Sequence, residues 1–187
     1  AYPHLADNPV PKLARIIDRL CSAKLDDGTE IFQPSNLQVT VISVPNTASN
    51  VIPAHARATL NVRYNDLWSR PKMEAWINDT IAKAAAELGA AYEVEFSGTG
   101  DVFLTKPGTL VETLKKAVHS VTGRTPALTT GGGTSDARFI KDACPVIEFG
   151  LVGQTMHQID ERVAVADLDR LTAIYRRVLD AYFAASP

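Results

Sequence analysis

The chain has 187 residues, of which 45% are hydrophobic and 21% charged, and its 19 Lys+Arg and 21 Asp+Glu leave a formal charge of −2. This composition excludes collagen-like, coiled-coil and disordered chains, and a near-neutral charge predicts no nucleic-acid partner and no acidic membrane partner. Two cysteines cannot form a disulfide framework, and the longest uncharged stretch, residues 31–56, contains three Pro and three Asn. We therefore expect a cytoplasmic protein without a membrane span.

Helix signals are clear at two places in the first half of the chain. Asn8 followed by Pro9 is typical of a helix start, and apolar residues then recur at helical spacing to about residue 23. Ser69 caps a second predicted helix, which ends at Gly89.

Period-two alternation predicts three strands, over residues 37–44, 56–63 and 92–96. In the first of them Val39 and Val41 are expected on the same face. The resulting order of helix, strand, strand, helix and strand is that of a split βαββαβ sandwich lacking its first strand. We expect the missing strand to precede the first residue.

A polar, glycine-containing segment over residues 97–101 predicts a linker, so residues 1–101 and 102–187 are expected to be separate domains. In the second of these, helices alternate with a continuous apolar strand, which is typical of part of an α/β layer with a parallel sheet. The predicted elements are a helix around residues 110–118, a strand over residues 145–149 and a terminal helix from Asp167.

The sharpest local feature is the run GGGTSD at residues 131–136. Its glycines let backbone N–H groups approach an anion closely, and Thr134 and Ser135 add hydroxyl donors. A tight turn before a short helix explains the same residues equally well. It is not a nucleotide-binding P-loop, because no lysine follows the glycines.

Three single residues are weaker candidates for chemistry. His157 lies in a loop after the apolar strand, where an imidazole could bind a metal, although no partner stands at ligand spacing. Arg63 on the second strand could bind a carboxylate, and Asn50 lies in the turn before it. Taken alone, each of these residues is more typical of an ordinary core, surface or turn position than of a functional site.

Five segments in fixed order carry a family resemblance: AYPHLADNP at residues 1–9, NVIP at 50–53, VRY at 62–64, GGGTSDARF at 131–139 and TMH at 155–157. Together they resemble the desuccinylase branch of the zinc aminoacylase/carboxypeptidase family of metallohydrolases, and the resemblance covers the whole chain. The glycine-rich run is its most specific part, because acetylornithine deacetylases and carboxypeptidases carry other residues there.

The resemblance implies that residues 1–101 are an inserted α+β dimerisation (lid) domain and that residues 102–187 are the C-terminal part of an α/β catalytic domain. It implies a homodimer, formed through residues 1–101, that hydrolyses N-succinyl-LL-2,6-diaminopimelate to succinate and LL-2,6-diaminopimelate in lysine and cell-wall biosynthesis. Two Zn²⁺ (or Co²⁺) ions would activate the water.

The resemblance also assigns roles to individual residues. It implies that His157 is a metal ligand and that Asn50 reaches into the partner's site, where it contacts the substrate or the transition state. The implied substrate-binding residues are Tyr2, Arg63, Gly132, Gly133 and Thr134. Since the family's other metal ligands and its general base precede the matching segment, we expect these 187 residues to be inactive alone. A non-catalytic dimerisation module and a related deacylase, such as acetylornithine deacetylase, are the alternatives.

Overall fold

The computed structural model describes residues 2–98, 100, 102–131 and 135–184, within two compact units, Ala1–Val102 and Phe103–Pro187. The first unit contains helices and a two-stranded sheet, and the second has only helices as regular elements among its described residues. None of the helices in these ranges combines the length and the apolar character that a membrane span requires.

Helix α1 spans Pro9–Cys21 and begins where the sequence predicts. The Asn8 side-chain oxygen accepts a hydrogen bond from the Val10 amide at 3.1 Å, which satisfies one of the free N–H groups of the first turn. Ile16 and Leu20 lie one turn apart on its buried face. The helix therefore presents an apolar stripe to the core of the first unit.

Strands β1 (Asn36–Ser43) and β2 (Arg57–Arg63) pair in antiparallel fashion. The register shifts between Val39 and Val41, so that Val41 lies opposite Thr59. Residues directly opposite each other share a face, and Thr59 is exposed. The irregularity therefore turns Val41 to the outer face, where 51% of its surface is exposed, and the prediction that it shares a face with Val39 was wrong.

Helix α2 spans Arg70–Leu88, and both of its predicted ends are confirmed. The Ser69 hydroxyl oxygen accepts a hydrogen bond from the Lys72 amide at 3.5 Å. Gly89 ends the helix in the left-handed conformation, with φ at +58°, and its amide donates to carbonyls of the last turn. Local capping chemistry thus determines the length of this helix.

Replacing Gly89 by alanine should lower the free energy of unfolding of the first unit by about 1 kcal/mol. A Cβ at this position would have no atom within 4 Å, so the cost arises from the positive φ alone. Gly89→Asn should cost less, because asparagine tolerates the left-handed region. Urea unfolding followed by tryptophan fluorescence measures both, since Trp68 and Trp76 lie in this unit. Equal losses in the two variants would contradict the expectation.

The core of the first unit is formed by helices α1 and α2 and the inner face of the sheet. Its buried members are Ile16, Leu20, Met73, Ile77, Ile81 and Ala84. Leu37, Leu60 and Val62 contribute from the sheet and are partly buried. At the surface, Arg19 of α1 donates to both carboxylate oxygens of Glu87, at 2.9 and 2.5 Å, and so links the two helices.

Residues 92–96, predicted as a third strand, form no β-ladder within the part of the chain that the structure describes, so this prediction was wrong. Val94 and Phe96 nevertheless pack against the core, as their alternation predicts. In a split βαββαβ topology the last strand pairs with the first, and no such first strand occurs among the described residues. Burial in the core therefore fixes the side chains of Val94 and Phe96, whereas the backbone of residues 92–96 has no described strand to pair with.

The second unit is built on helices α3 (Thr109–Thr122) and α5 (Val165–Ala184), with a short helix α4 (Ala137–Ile140). Helix α5 begins two residues before the predicted start at Asp167. Helices α3 and α5 pack through a buried cluster whose members are Leu114, Ala117, Val118 and Ile174. Their apolar stripes therefore form the core of this unit.

Residues 145–149, predicted as an apolar strand, also lie outside any β-ladder formed by the described residues, and this prediction was wrong. Ile147 and Phe149 pack against the cluster of the second unit. The Tyr175 hydroxyl of α5 donates a hydrogen bond to the Phe149 carbonyl. A parallel strand needs a neighbouring strand to complete its hydrogen bonds, and the described part of this unit supplies none.

Candidate functional site

His157 lies in an irregular loop between helices α4 and α5. Its φ is +62°, and Asp160, at +60°, is the one other non-glycine residue with a positive φ in the described ranges. The His157 amide donates to the Glu161 carboxylate at 3.3 Å. The imidazole is exposed and makes no hydrogen bond with any described residue, which leaves its nitrogens accessible to a ligand.

Thr155 closes this loop at its base. Its hydroxyl donates to the Arg162 carbonyl and accepts from the Arg162 amide, both at 2.9 Å. Its carbonyl accepts from the Gln158 amide at 3.1 Å. These bonds join residues 155 and 162 and so enclose His157 in a short ring of backbone.

Within residues 2–98, 100, 102–131 and 135–184, no three side chains of the metal-binding types gather closely enough to hold an ion. A catalytic zinc ion usually has three protein ligands. The described residues therefore do not form a complete zinc site of this kind around His157.

Gly132, Gly133 and Thr134, the predicted substrate-binding residues of the glycine-rich run, lie outside the described residues. The described part resumes at Ser135, whose hydroxyl donates to the Glu148 carboxylate and accepts from the Ala137 amide. Ser135 thus ties the start of helix α4 to the apolar segment 145–149. Sequence spacing contained no signal for the contact between Ser135 and Glu148.

Arg63 ends strand β2 on the outer, exposed face of the sheet. The register places Asn36 directly opposite Arg63, and Gln38 directly opposite Asn61. All four residues are exposed and share this face. A face of the sheet that carries a guanidinium and amide groups is well suited to carboxylates, because both groups donate hydrogen bonds to carboxylate oxygens.

Asn50 lies in the exposed connection between β1 and β2. The neighbouring Asn46 organises this connection, since its side-chain amide donates to the Val51 carbonyl at 2.6 Å. Arg63 lies at the other end of the hairpin, so the length of β2, about 20 Å, lies between it and the connection that carries Asn50. One protomer therefore does not bring these two predicted site residues together.

Tyr2 lies just before a short 3₁₀ helix, Pro3–Leu5. Its ring meets the His4 ring edge-on, with centroids 6.1 Å apart, and 68% of Tyr2 is exposed. Its carbonyl accepts from the Leu5 amide at 3.0 Å. The backbone is thus held locally, and the phenol is accessible to a ligand.

A polar network that we did not predict connects the loop after α1 to the loop after β2. One oxygen of the Asp26 carboxylate accepts from the Asn65 side chain at 2.7 Å and from the Gly28 and Ser35 amides. The other oxygen accepts from the Trp68 indole at 2.9 Å. Asn65 is only 2% exposed and is the one buried polar residue among those described.

The hydrogen bonds of this network hold the pKa of Asp26 well below its usual range. Partial burial on its own raises the pKa, because it disfavours the charged carboxylate. Hydrogen bonds from the Ser35 hydroxyl and amide, the Gly28 amide and the Trp68 indole favour the charged form and together outweigh burial. Asp26 is therefore a structural anion between two loops.

Comparison with known proteins finds a match between residues 1–89 and the family described as the peptidase dimerisation domain. Over the whole chain, the succinyl-diaminopimelate desuccinylase of Methylobacterium sp. (strain 4-46) is 60% identical, and that of Rhodospirillum centenum is 56% identical. In each case the match covers 100% of this chain and 47% of the relative. The chain thus spans about half the length of the curated relatives it matches.

Two solved structures share the fold at low sequence identity. Aminopeptidase PepT from Bacillus cereus superposes with a TM-score of 0.69 at 21% identity, covering 96% of this chain and 48% of that one. An M20 family metallo-carboxypeptidase from Sulfolobus solfataricus superposes with a TM-score of 0.66 at 16% identity, covering 95% and 53%. At these identities the likeness concerns the fold alone.

Proposed function

We propose that this chain is part of a metal-dependent amidohydrolase, because residues 1–89 match the peptidase dimerisation domain family and the whole chain is 60% identical to a desuccinylase. The proposed reaction is hydrolysis of the amide of N-succinyl-LL-2,6-diaminopimelate to succinate and LL-2,6-diaminopimelate. The observation that carries the proposal is the 60% identity that extends over the whole chain. We propose that residues 1–101 form the dimerisation domain and that residues 102–187 belong to the catalytic domain.

The chemistry of the substrate agrees with the residues proposed to bind it. N-succinyl-LL-2,6-diaminopimelate carries carboxylates on both sides of the amide that is cleaved. Arg63 would bind one of them as a bidentate donor, and the glycine-rich run, including Gly132, Gly133 and Thr134, would bind another through N–H and hydroxyl groups. Tyr2, with its exposed phenol, would contact the same ligand.

His157 is proposed as one ligand of a centre with two divalent ions, zinc or cobalt. Its accessible imidazole fits that role, and the remaining ligands must come from residues other than those described. Such ions polarise an amide carbonyl and lower the pKa of bound water. The contribution of this chain is to hold the imidazole and to orient the substrate carboxylates. On this proposal the 187 residues alone are inactive.

A homodimer formed through residues 1–101 is the proposed assembly. Strand β1 has a partner on one side only among the described residues, and Val41 and Ile42 are 51% and 62% exposed. An unpaired strand edge with apolar side chains can pair with a second copy. Because Asn50 and Arg63 lie at opposite ends of one hairpin, we propose that Asn50 completes the partner's site.

Replacing Val41 by lysine should prevent this association. A charge on the exposed edge strand opposes strand pairing between copies and leaves the monomer fold intact. Light scattering at increasing protein concentration should show a dimer for the unmodified chain and a monomer for Val41→Lys. Leu128→Lys, at a residue of the second unit that is 55% exposed, is the matched control and should remain dimeric. A dimeric Val41→Lys variant would contradict the proposed interface.

The activity is tested in a complete enzyme made by joining this chain to the N-terminal half of the Methylobacterium sp. (strain 4-46) relative. We expect hydrolysis of N-succinyl-LL-2,6-diaminopimelate, slower hydrolysis of N-acetylornithine, and a loss of at least about 100-fold in His157→Ala. The 187 residues alone should show no turnover. Preference for N-acetylornithine would instead support a related deacylase.

A non-catalytic dimerisation module is the second candidate function. It is favoured by the match of residues 1–89 to a dimerisation domain. An inactive joined enzyme, together with dimerisation of the 187 residues, would support this module over the amidohydrolase. A joined enzyme that turns over the succinylated substrate would exclude it.

A further inference from the structure

The loop that carries His157 holds an uncommon backbone conformation without support from regular secondary structure. His157 and Asp160 both have positive φ, and they are the non-glycine residues with this property in the described part of the chain. Such conformations persist where surrounding contacts hold them in place. The contacts that hold His157 therefore determine where its imidazole lies.

These contacts come from the loop itself. The Thr155 hydroxyl makes two hydrogen bonds of 2.9 Å to the backbone of Arg162, one as donor and one as acceptor. Inside the ring closed in this way, the His157 amide donates to Glu161 at 3.3 Å. One hydroxyl thus ties together the two ends of the eight-residue segment 155–162.

The rest of the loop does not anchor His157 by burial. Met156 is 54% exposed and Ile159 is 94% exposed. Neither residue belongs to the buried cluster of the second unit. Loss of the Thr155 hydroxyl should therefore loosen the loop while the packed helices remain folded.

We infer that Thr155 is a positioning residue that preorganises His157 for metal binding by closing the 155–162 loop. This inference rests on the proposed function, in which His157 is a metal ligand. Partners that orient a metal ligand typically change metal affinity by about 10- to 100-fold when they are removed. Thr155 would act on the ligand's backbone, since its hydroxyl contacts Arg162 and not the imidazole.

The first test concerns the loop and uses the 187 residues as they are. Thr155→Val keeps the shape of the side chain and removes both hydrogen bonds, and Thr155→Ser keeps the hydroxyl. We expect hydrogen exchange of the Arg162 and His157 amides, measured by NMR, to be at least about 10-fold faster in Thr155→Val and nearly unchanged in Thr155→Ser. Unchanged exchange in Thr155→Val would overturn the inference.

The second test concerns the metal and uses the joined enzyme described above. Zn²⁺ affinity, measured by competition with a chelator, should fall by about 10-fold in Thr155→Val and be restored in Thr155→Ser. His157→Ala tests separately whether His157 is a metal ligand at all. Unchanged Zn²⁺ affinity in that variant would contradict the ligand assignment, whatever the role of Thr155. If His157→Ala weakens Zn²⁺ binding and Thr155→Val does not, the ligand assignment stands and the positioning role of Thr155 is wrong.

Discussion

Replacing Leu20 by alanine should lower the free energy of unfolding of the first unit by about 3 kcal/mol. Leu20 is 2% exposed and lies in the cluster shared by α1, α2 and the sheet. The variant loses the transfer free energy of the removed methyl groups and leaves a cavity that a packed core refills only in part. Because small domains are stable by only about 5–15 kcal/mol, this loss is a large fraction of the total.

Urea unfolding followed by tryptophan fluorescence measures this effect, since Trp68 and Trp76 pack against the same cluster. Leu5→Ala is the matched control, because the same change at a residue that is 77% exposed should cost less than about 0.5 kcal/mol. A loss below about 1 kcal/mol for Leu20→Ala would mean that this core collapses around the cavity and is not rigidly packed.

The helices of the first unit could be predicted because their signals are local. Asn8, Ser69 and Gly89 each act on backbone groups within four residues, so a single sequence contains all the information that their caps require. The face of Val41 could not be predicted in the same way. It depends on the register shift that places Val41 opposite Thr59, and no sequence pattern in β1 predicts that shift.

The two strand predictions that were wrong share one physical cause. Residues 92–96 and 145–149 have apolar residues that pack inward, as predicted, but a strand also needs a neighbour for its backbone hydrogen bonds. The described residues contain no such neighbour for either segment. Side-chain patterns therefore predicted burial in both segments and could not predict pairing.

For the candidate site, the sequence indicated candidate residues but not their geometry. The family resemblance indicated His157, whereas its positive φ and the closure of its loop by Thr155 follow from hydrogen bonds that no motif describes. The hydrogen bonds that Asp26 accepts from Asn65 and Trp68 could not be predicted either, because these donors lie 39 and 42 residues further along the chain.

Replacing Asp26 by asparagine should lower the free energy of unfolding of the first unit by about 2 kcal/mol at pH 7. Both carboxylate oxygens accept hydrogen bonds, so in either orientation an amide NH₂ would face a donor, Trp68 on one side or Asn65 on the other. Asn65 is buried and would lose an acceptor that water cannot readily replace. The carboxylate is partly exposed to water. We therefore expect the loss in free energy of unfolding to be smaller than the sum of the contributions of its hydrogen bonds.

This loss should depend on pH in a defined direction. The pKa of Asp26 in the folded chain lies below its value of about 3.9 in an unfolded chain. Its contribution is therefore fully present above about pH 4 and is lost progressively as the pH falls towards the folded-state pKa. The asparagine in Asp26→Asn does not titrate. The difference in free energy of unfolding between this variant and the unmodified chain should therefore become smaller below pH 4.

Asp27→Asn is the matched control for the charge itself. Asp27 is the next residue, its side chain is 83% exposed, and its ion pair with Lys24 lies at the surface. Its removal should change the free energy of unfolding by less than about 0.5 kcal/mol at any pH between 3 and 7. Urea unfolding at pH 7, 4 and 3 compares the two variants. Equal behaviour of Asp26→Asn and Asp27→Asn would mean that the network around Asn65 does not depend on a charged acceptor.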